Sequence, residues 1–279
     1  MMRATAVIRN HERDLRHDQF VTRVPAPDGA HLAVRTSGAE APLLLLSGQA
    51  GSHEWWTRVR ADFDAFRRVV TLDWRGTGDS DAPPGPYSTQ GFAEDAIAVL
   101  DHLGIDRADV YGTSMGGRVA QWIAIRHPHR VRRLVLGCTS PGGPHAVERS
   151  AAVRKALADP DPAAARRALL DLMYSPEWTA RHPGPYWTLG DPTMSRQARH
   201  QHLLASNGHD AWAELPRITA PTLVLHGDRD DLNPTANAPL LADRIPGARL
   251  QLIAGARHAY FEECRDEASA VVREFLTAG

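Results

Sequence analysis

Residues 110–117 read Val-Tyr-Gly-Thr-Ser-Met-Gly-Gly. A serine with glycine two positions away on each side suits a turn too sharp for side chains, at the joint between a strand and a helix. Gly112 and Gly116 remove the Cβ atoms that would collide there. The turn lifts the Ser114 hydroxyl out of the fold. The helix that follows leaves backbone N–H groups beside it, ready to hold a developing negative charge. Ser114 is therefore the candidate nucleophile, and the stretch predicts a strand ending near Tyr111 and a helix starting just past Ser114.

The surrounding pattern extends this reading. Strand-length apolar runs recur at Leu43–Leu46, Val69–Leu72, Val110–Tyr111, Leu134–Leu136, Thr222–Leu225 and Leu250–Ile253. Runs apolar throughout belong to strands covered on both faces. Two further strands, Phe20–Val24 and His31–Arg35, are joined by a turn at Pro27-Asp28-Gly29. Phe92, Ala96, Val99, Leu100 and Leu103 recur at helical spacing, with Ser88 or Thr89 to cap the start and Gly104 to stop the end. Val119, Trp122 and Ile123 continue the helix after Ser114 until Pro128. Ala268, Val271, Val272 and Phe275 mark a last helix. Strands alternating with helices predict an α/β fold with a mostly parallel central sheet and helices on both faces.

Residues 140–214 break this rhythm with prolines, short helical pieces and no convincing strand. They predict a helical cap inserted into a core made of residues 18–139 and 215–279. Residues 1–17 read as a loose N-terminal arm. The chain has 279 residues, of which 43% are hydrophobic and 23% charged, enough for one sizeable core plus an insertion. A net charge of -1 gives no basic surface for nucleic acid or an anionic membrane. No stretch approaches the roughly 18 unbroken apolar residues of a spanning helix, and the polar N-terminus lacks a signal-peptide core. These features point to a soluble cytoplasmic protein. Its two cysteines, Cys138 and Cys264, form neither a disulfide framework nor a zinc motif, and read as buried free thiols.

A serine nucleophile needs a base, and the base needs an orienting acid. His258 follows Leu250–Ile253 on a loop able to reach the carboxyl edge of a parallel sheet, where sites in such sheets form. The stretch after Leu225, His226-Gly227-Asp228-Arg229-Asp230-Asp231, offers three acids. Serine, acid, histidine is the chain order expected when the serine sits on such an elbow.

With these residues in hand, the chain resembles the serine-nucleophile branch of the α/β-hydrolase fold superfamily. Four motifs match in order: Ser47-Gly48-Gln49-Ala50-Gly51 after an apolar strand; Asp73-Trp74-Arg75-Gly76-Thr77-Gly78-Asp79-Ser80; the elbow; and the Asp and His loops. The family pattern Gly-x-x-Asp, counted from Gly227, implies Asp230 as the acid and leaves Asp228 and Asp231 as solvated charges. The resemblance also implies an oxyanion hole from the backbone N–H groups of Met115 and Gln49. Many relatives carry His-Gly where this chain has Ser47-Gly48, a change that a backbone donor survives. Asp81-Ala-Pro-Pro-Gly-Pro-Tyr-Ser88 and the Leu-Asp-His-Leu-Gly-Ile ending at 100–105 are similar to 3-oxoadipate enol-lactonases. The resemblance thus implies a cofactor-independent esterase or lactonase acting on a small molecule. Relatives of this fold that attack with aspartate are excluded by serine at 114. Thioesterases, carbon–carbon bond hydrolases, perhydrolases and acyltransferases use the same triad, and fold alone does not separate them. An intact triad argues against a silent binding protein.

Other residues divide between packing and function. Trp55 and Trp56 either line the acyl pocket or pack under the cap. Trp178, Tyr186 and Trp187 either form an apolar ceiling over the substrate or pack within the cap. Arg75 and Gly76 read as loop architecture and Cys138 as packing. His200 and His202 form an H-x-H pair without a third ligand, so no metal site is expected.

Overall fold

The computed structural model describes residues 20–278; the proposed arm at 1–17 lies outside them. Eight strands form one sheet: β1 (Phe20–Pro25), β2 (His31–Ser37), β3 (Pro42–Leu46), β4 (Arg68–Leu72), β5 (Ala108–Thr113), β6 (Val131–Gly137), β7 (Thr222–Gly227) and β8 (Arg249–Ile253). Their spatial order is β1-β2-β4-β3-β5-β6-β7-β8. β2 pairs antiparallel with both neighbours, and β4 through β8 pair parallel. The carboxyl ends of β3, β5, β6, β7 and β8 therefore share one edge of the sheet.

The alternation of strand side chains divides the core in two. Leu44, Leu46, Leu134, Leu136 and Val224 face one side, under helices α1 (Thr89–His102), α2 (Met115–Arg126) and, further along the chain, Asn237–Arg244. Leu43, Leu45, Val135, Leu223 and Leu225 face the other, against Phe63 and the C-terminal helix Arg265–Thr277. The ends of α1 are written in its sequence. The Ser88 hydroxyl accepts from Gly91 N–H, and Gly104 takes φ +65° as the helix stops.

Reading Leu250–Ile253 as covered on both faces was incorrect. Only Ile253 is buried, while Leu250 and Leu252 are about 40% exposed. β8 is the last strand of the sheet, with a neighbour on one side only, so its apolar composition reflects β propensity rather than burial. Cys138 is buried but Cys264 only partly so; both are free thiols.

Between β6 and β7 the chain passes through α3 (Ala151–Leu157), α4 (Pro162–Met173), α5 (Pro176–Arg181) and α6 (Arg196–Asn207). The two ends of this segment lie side by side. Gly142 bridges Asp210, Gly143 N–H donates to the His209 carbonyl and Ala211 N–H to that of Pro141. No helix among the described residues is long and apolar enough to cross a membrane.

Candidate active site

Ser114 sits between β5 and α2 at φ 54°, ψ -121°, a conformation that costs a non-glycine residue on the order of 1–3 kcal/mol. The glycines make the turn feasible. A Cβ on Gly112 would stand 2.2 Å from the Gly116 carbonyl oxygen, and one on Gly116 would stand 2.1 Å from that of Leu46. Ser114 N–H donates to the Gly137 carbonyl, so the elbow is anchored to β6 while its side chain stays partly exposed. The Ser114 hydroxyl makes no hydrogen bond among the described residues. A nucleophile–base contact commonly tightens only around substrate.

The structure brings His258 and Asp230 together in a buried pair, Nδ1 to Oδ2 at 2.7 Å. A carboxylate only accepts, so Nδ1 carries the proton and Nε2 is left bare, able to accept one. A run of contacts joins this pair to the elbow. Asn233 N–H donates to Asp230 Oδ1 at 2.9 Å and Asn233 Nδ2 to the Cys138 carbonyl at 2.7 Å. Next to Cys138, the Thr139 hydroxyl donates to the Ser114 carbonyl at 2.7 Å. Burial by itself would raise the Asp230 pKa. The charge on His258 and hydrogen bonds from His226 and His258 outweigh it and hold the carboxyl well below the usual carboxylate range. Asp228 is exposed and accepts from Gly255 N–H, and Asp231 is exposed. Burial and the nearby Asp230 charge push the Cys138 thiol up, so it stays protonated and inert.

Sequence reasoning missed His226. This wholly buried residue, next to last in β7, has Nε2 at 3.0 Å from Asp230 Oδ2 and 2.9 Å from the Asn233 carbonyl oxygen. Both neighbours are acceptors, so Nε2 carries the proton, and Nδ1 has no partner among the described residues. The Asp230 carboxylate is thus shared between two imidazoles. The one signal in the sequence is a polar residue directly after the apolar run Leu223–Leu225, four positions before Asp230.

Past the end of β3 the Gln49 N–H has no acceptor among the described residues, and neither does the Met115 N–H at the start of α2. Ser47 turns its buried hydroxyl back to the Gly51 carbonyl and so closes the loop from within. The Trp55 ring lies under this loop, where a Cβ on Gly48 would meet it at 2.3 Å, and its indole N–H donates to Thr113 Oγ1. Trp56 is fully buried between Tyr111 and Phe261. Trp178 stacks on Tyr174 at 4.4 Å, with Tyr186 beside both; Trp187 opens the short turn that follows. Arg75 is saturated by Asp95 and Asp28, which makes it a loop anchor. A surface groove of about 480 Å³ runs along Pro83–Ser88, and none of Ser114, Asp230 or His258 lines it.

Glu262, four residues past His258, is buried and accepts from the Tyr174 hydroxyl at 2.5 Å. Burial pushes its pKa from 4.5 up to about 7, against the hydrogen bond from Tyr174 and the charge of Arg58. The folded state therefore holds this proton more tightly than the unfolded chain does. The resulting stability is complete below pH 4.5 and is lost as pH rises to about 7. The loss amounts to about 3 kcal/mol at ~1.4 kcal/mol per pH unit. Glu262→Gln keeps an oxygen for Tyr174 and removes the titration. Urea unfolding from pH 4 to pH 8 should show the variant gaining on the wild type by about that amount. A constant difference across the series would mean that Glu262 does not titrate in this way.

The sequence pattern of the alpha/beta hydrolase fold matches residues 41–263. The chain is 34% identical over 230 residues to a protein named as a carbamate hydrolase, RutD, of Stutzerimonas stutzeri (strain A1501), with 79% of this chain and 86% of that protein covered. It is 32% identical over 264 residues to 2-hydroxymuconate semialdehyde hydrolase of Pseudomonas sp. (strain CF600), covering 89% and 91%. Among solved structures, the enol-lactonase from Burkholderia xenovorans LB400 superposes with a TM-score of 0.81 at 27% identity, over 92% of this chain and 100% of that one.

Proposed function

The chain belongs to the alpha/beta hydrolase fold family, and from that premise we propose that it is a serine hydrolase cleaving a carboxylic ester or lactone through an acyl-enzyme. The observation that carries this reading is the strained Ser114 at the sheet edge, joined by a run of hydrogen bonds to the buried His258–Asp230 pair. His258 Nε2 takes the hydroxyl proton as Ser114 Oγ attacks the acyl carbon. The carbonyl electron pair moves onto oxygen, where the Gln49 and Met115 N–H groups receive it. Collapse expels the alkoxide, which takes the proton from His258. Water then attacks the acyl-enzyme with His258 again as base, releasing the carboxylic acid and restoring Ser114. Asp230 fixes the tautomer of His258 and stabilises its cation. The steps draw only on these groups and water.

In this reading residues 140–214 cap the site and the rest of the described chain is its core, a division supported by the paired ends at 141–143 and 209–211. Trp178, Tyr186 and Trp187 supply an apolar ceiling, while Trp55 props the oxyanion loop. The relatives are named for different substrates, a carbamate, a semialdehyde and an enol-lactone, so the leaving group must be measured on this protein.

A fluorophosphonate probe should label Ser114 in the folded protein, located by peptide mass spectrometry. In a panel of p-nitrophenyl esters, lactones, acyl thioesters and a p-nitrophenyl carbamate, esters or lactones should give the highest kcat/KM. Failure to label Ser114 would overturn the mechanism. Preference for the thioester or carbamate would keep the mechanism and overturn the substrate class.

A further inference from the structure

The two histidines of the H-x-H pair part company in the structure. His200 is exposed, whereas His202, on α6, is fully buried with its ring against Tyr87 and Phe92. His202 Nδ1 stands 3.1 Å from the Ala50 backbone nitrogen, and Nε2 stands 2.8 Å from the Arg75 carbonyl oxygen. The amide can only donate and the carbonyl can only accept, so Nδ1 is bare and Nε2 carries the proton. One tautomer of the neutral ring satisfies both contacts, and an imidazolium would set N–H against N–H. Burial maintains the neutral form, drawing the His202 pKa down to about 4.

Ala50 directly follows Gln49. It holds φ +59°, a backbone region that disfavours residues with a Cβ, so something must keep it there. Both of its peptide groups are held by the inserted segment. His202 accepts the Ala50 N–H, and the Ala50 carbonyl accepts the N–H of Asp191 at 2.7 Å. The Asp191 side chain is itself fixed, since it accepts from Gly78 N–H and from the N–H and hydroxyl of Thr193.

We propose that His202 is a positioning residue for the oxyanion hole. By accepting the Ala50 N–H it sets the peptide plane that follows Gln49, turning one amide toward the cap and leaving the Gln49 N–H free for the oxyanion. This rests on the serine-hydrolase reading above. The inserted segment then helps to build the catalytic apparatus as well as to cover it.

Three substitutions test this. His202→Phe keeps the ring contacts and loses both hydrogen bonds. His202→Asn keeps an acceptor close to the position of Nδ1, and His202→Gln reaches instead toward the position of Nε2. The Phe variant should lose up to about 10²-fold in kcat with KM little changed, since removal of a whole oxyanion donor costs about 10²–10³. The Asn variant should recover most of that loss and the Gln variant should not. The Ki of a trifluoromethyl ketone, which forms an oxyanion on Ser114, should weaken in step with kcat. A purely structural role would lower the amount of folded enzyme without moving kcat per labelled Ser114. A folded Phe variant within about threefold of wild type, equal kcat in the Asn and Gln variants, or failure of all three to fold would each overturn the proposal. Ser114→Ala is assayed alongside. If it stays active, the underlying hydrolase reading fails; if it is inactive while His202→Phe is unaffected, only the positioning role fails.

Discussion

Ser114→Ala is expected to lower kcat by about 10⁶-fold and to leave the fold intact. Removing the nucleophile of a triad that works as a unit costs about as much as removing the whole triad, and the remaining ~10³–10⁴-fold over water comes from the oxyanion donors and substrate binding. The Ser114 hydroxyl has no hydrogen bond to lose, and alanine retains the Cβ that the turn already accommodates. The thermal midpoint should therefore move by no more than a degree or two while turnover disappears. Because the loss falls on the chemical step, substrate should still bind, and a non-hydrolysed ester analogue should show unchanged affinity by calorimetry. Retention of even 1% of wild-type kcat would mean that another group attacks the acyl carbon.

The second large effect belongs to Asp230→Asn, expected to cost about 10⁴-fold in kcat. The pair at 2.7 Å works because a carboxylate can only accept, which keeps the proton on His258 Nδ1. An amide that presents its NH₂ to Nδ1 reverses the tautomer, puts the proton on Nε2 and removes the base. Asn233 N–H and His226 Nε2 also point at this carboxylate. Asn233 donates to Oδ1, so it favours asparagine turning its oxygen there, which puts the NH₂ at the Oδ2 position that His226 and His258 share. The Asn233 N–H that steadies the native carboxylate thus favours the unproductive arrangement in the variant. Activity should stay low across the neutral pH range. Turnover within tenfold of wild type would move the orienting acid elsewhere.

The sheet and the elbow were legible because their signals are local. Gly112 and Gly116 can be read from sequence as the residues that a strand–helix turn needs, and Leu43–Leu46 as a strand long before its partners are known. The candidate acid could be singled out only through the family pattern, since three aspartates within four residues differ in burial and not in chemistry. β8 misled because apolar content predicts a strand but not its place in the sheet, and the last strand lacks a second neighbour. His226 and His202 were illegible for another reason. Each gains its role from a partner reached through the fold: Asp230 across a tight loop, Ala50 from 152 positions away. A histidine in an apolar strand or on a mostly polar helix carries no mark of the amide it will meet.

The paired ends at Gly142 and Asp210 have a consequence for grafting. A segment that leaves and re-enters the core at neighbouring positions can change length at little cost, because loop closure rises by only ~0.6 kcal/mol per doubling. Cap exchange between hydrolases could therefore be sewn at this neck without disturbing the sheet. A transplanted cap would still need to arrive with an acceptor for one amide of Ala50 and a donor for its carbonyl, or the chimera would fold around a slack catalytic loop.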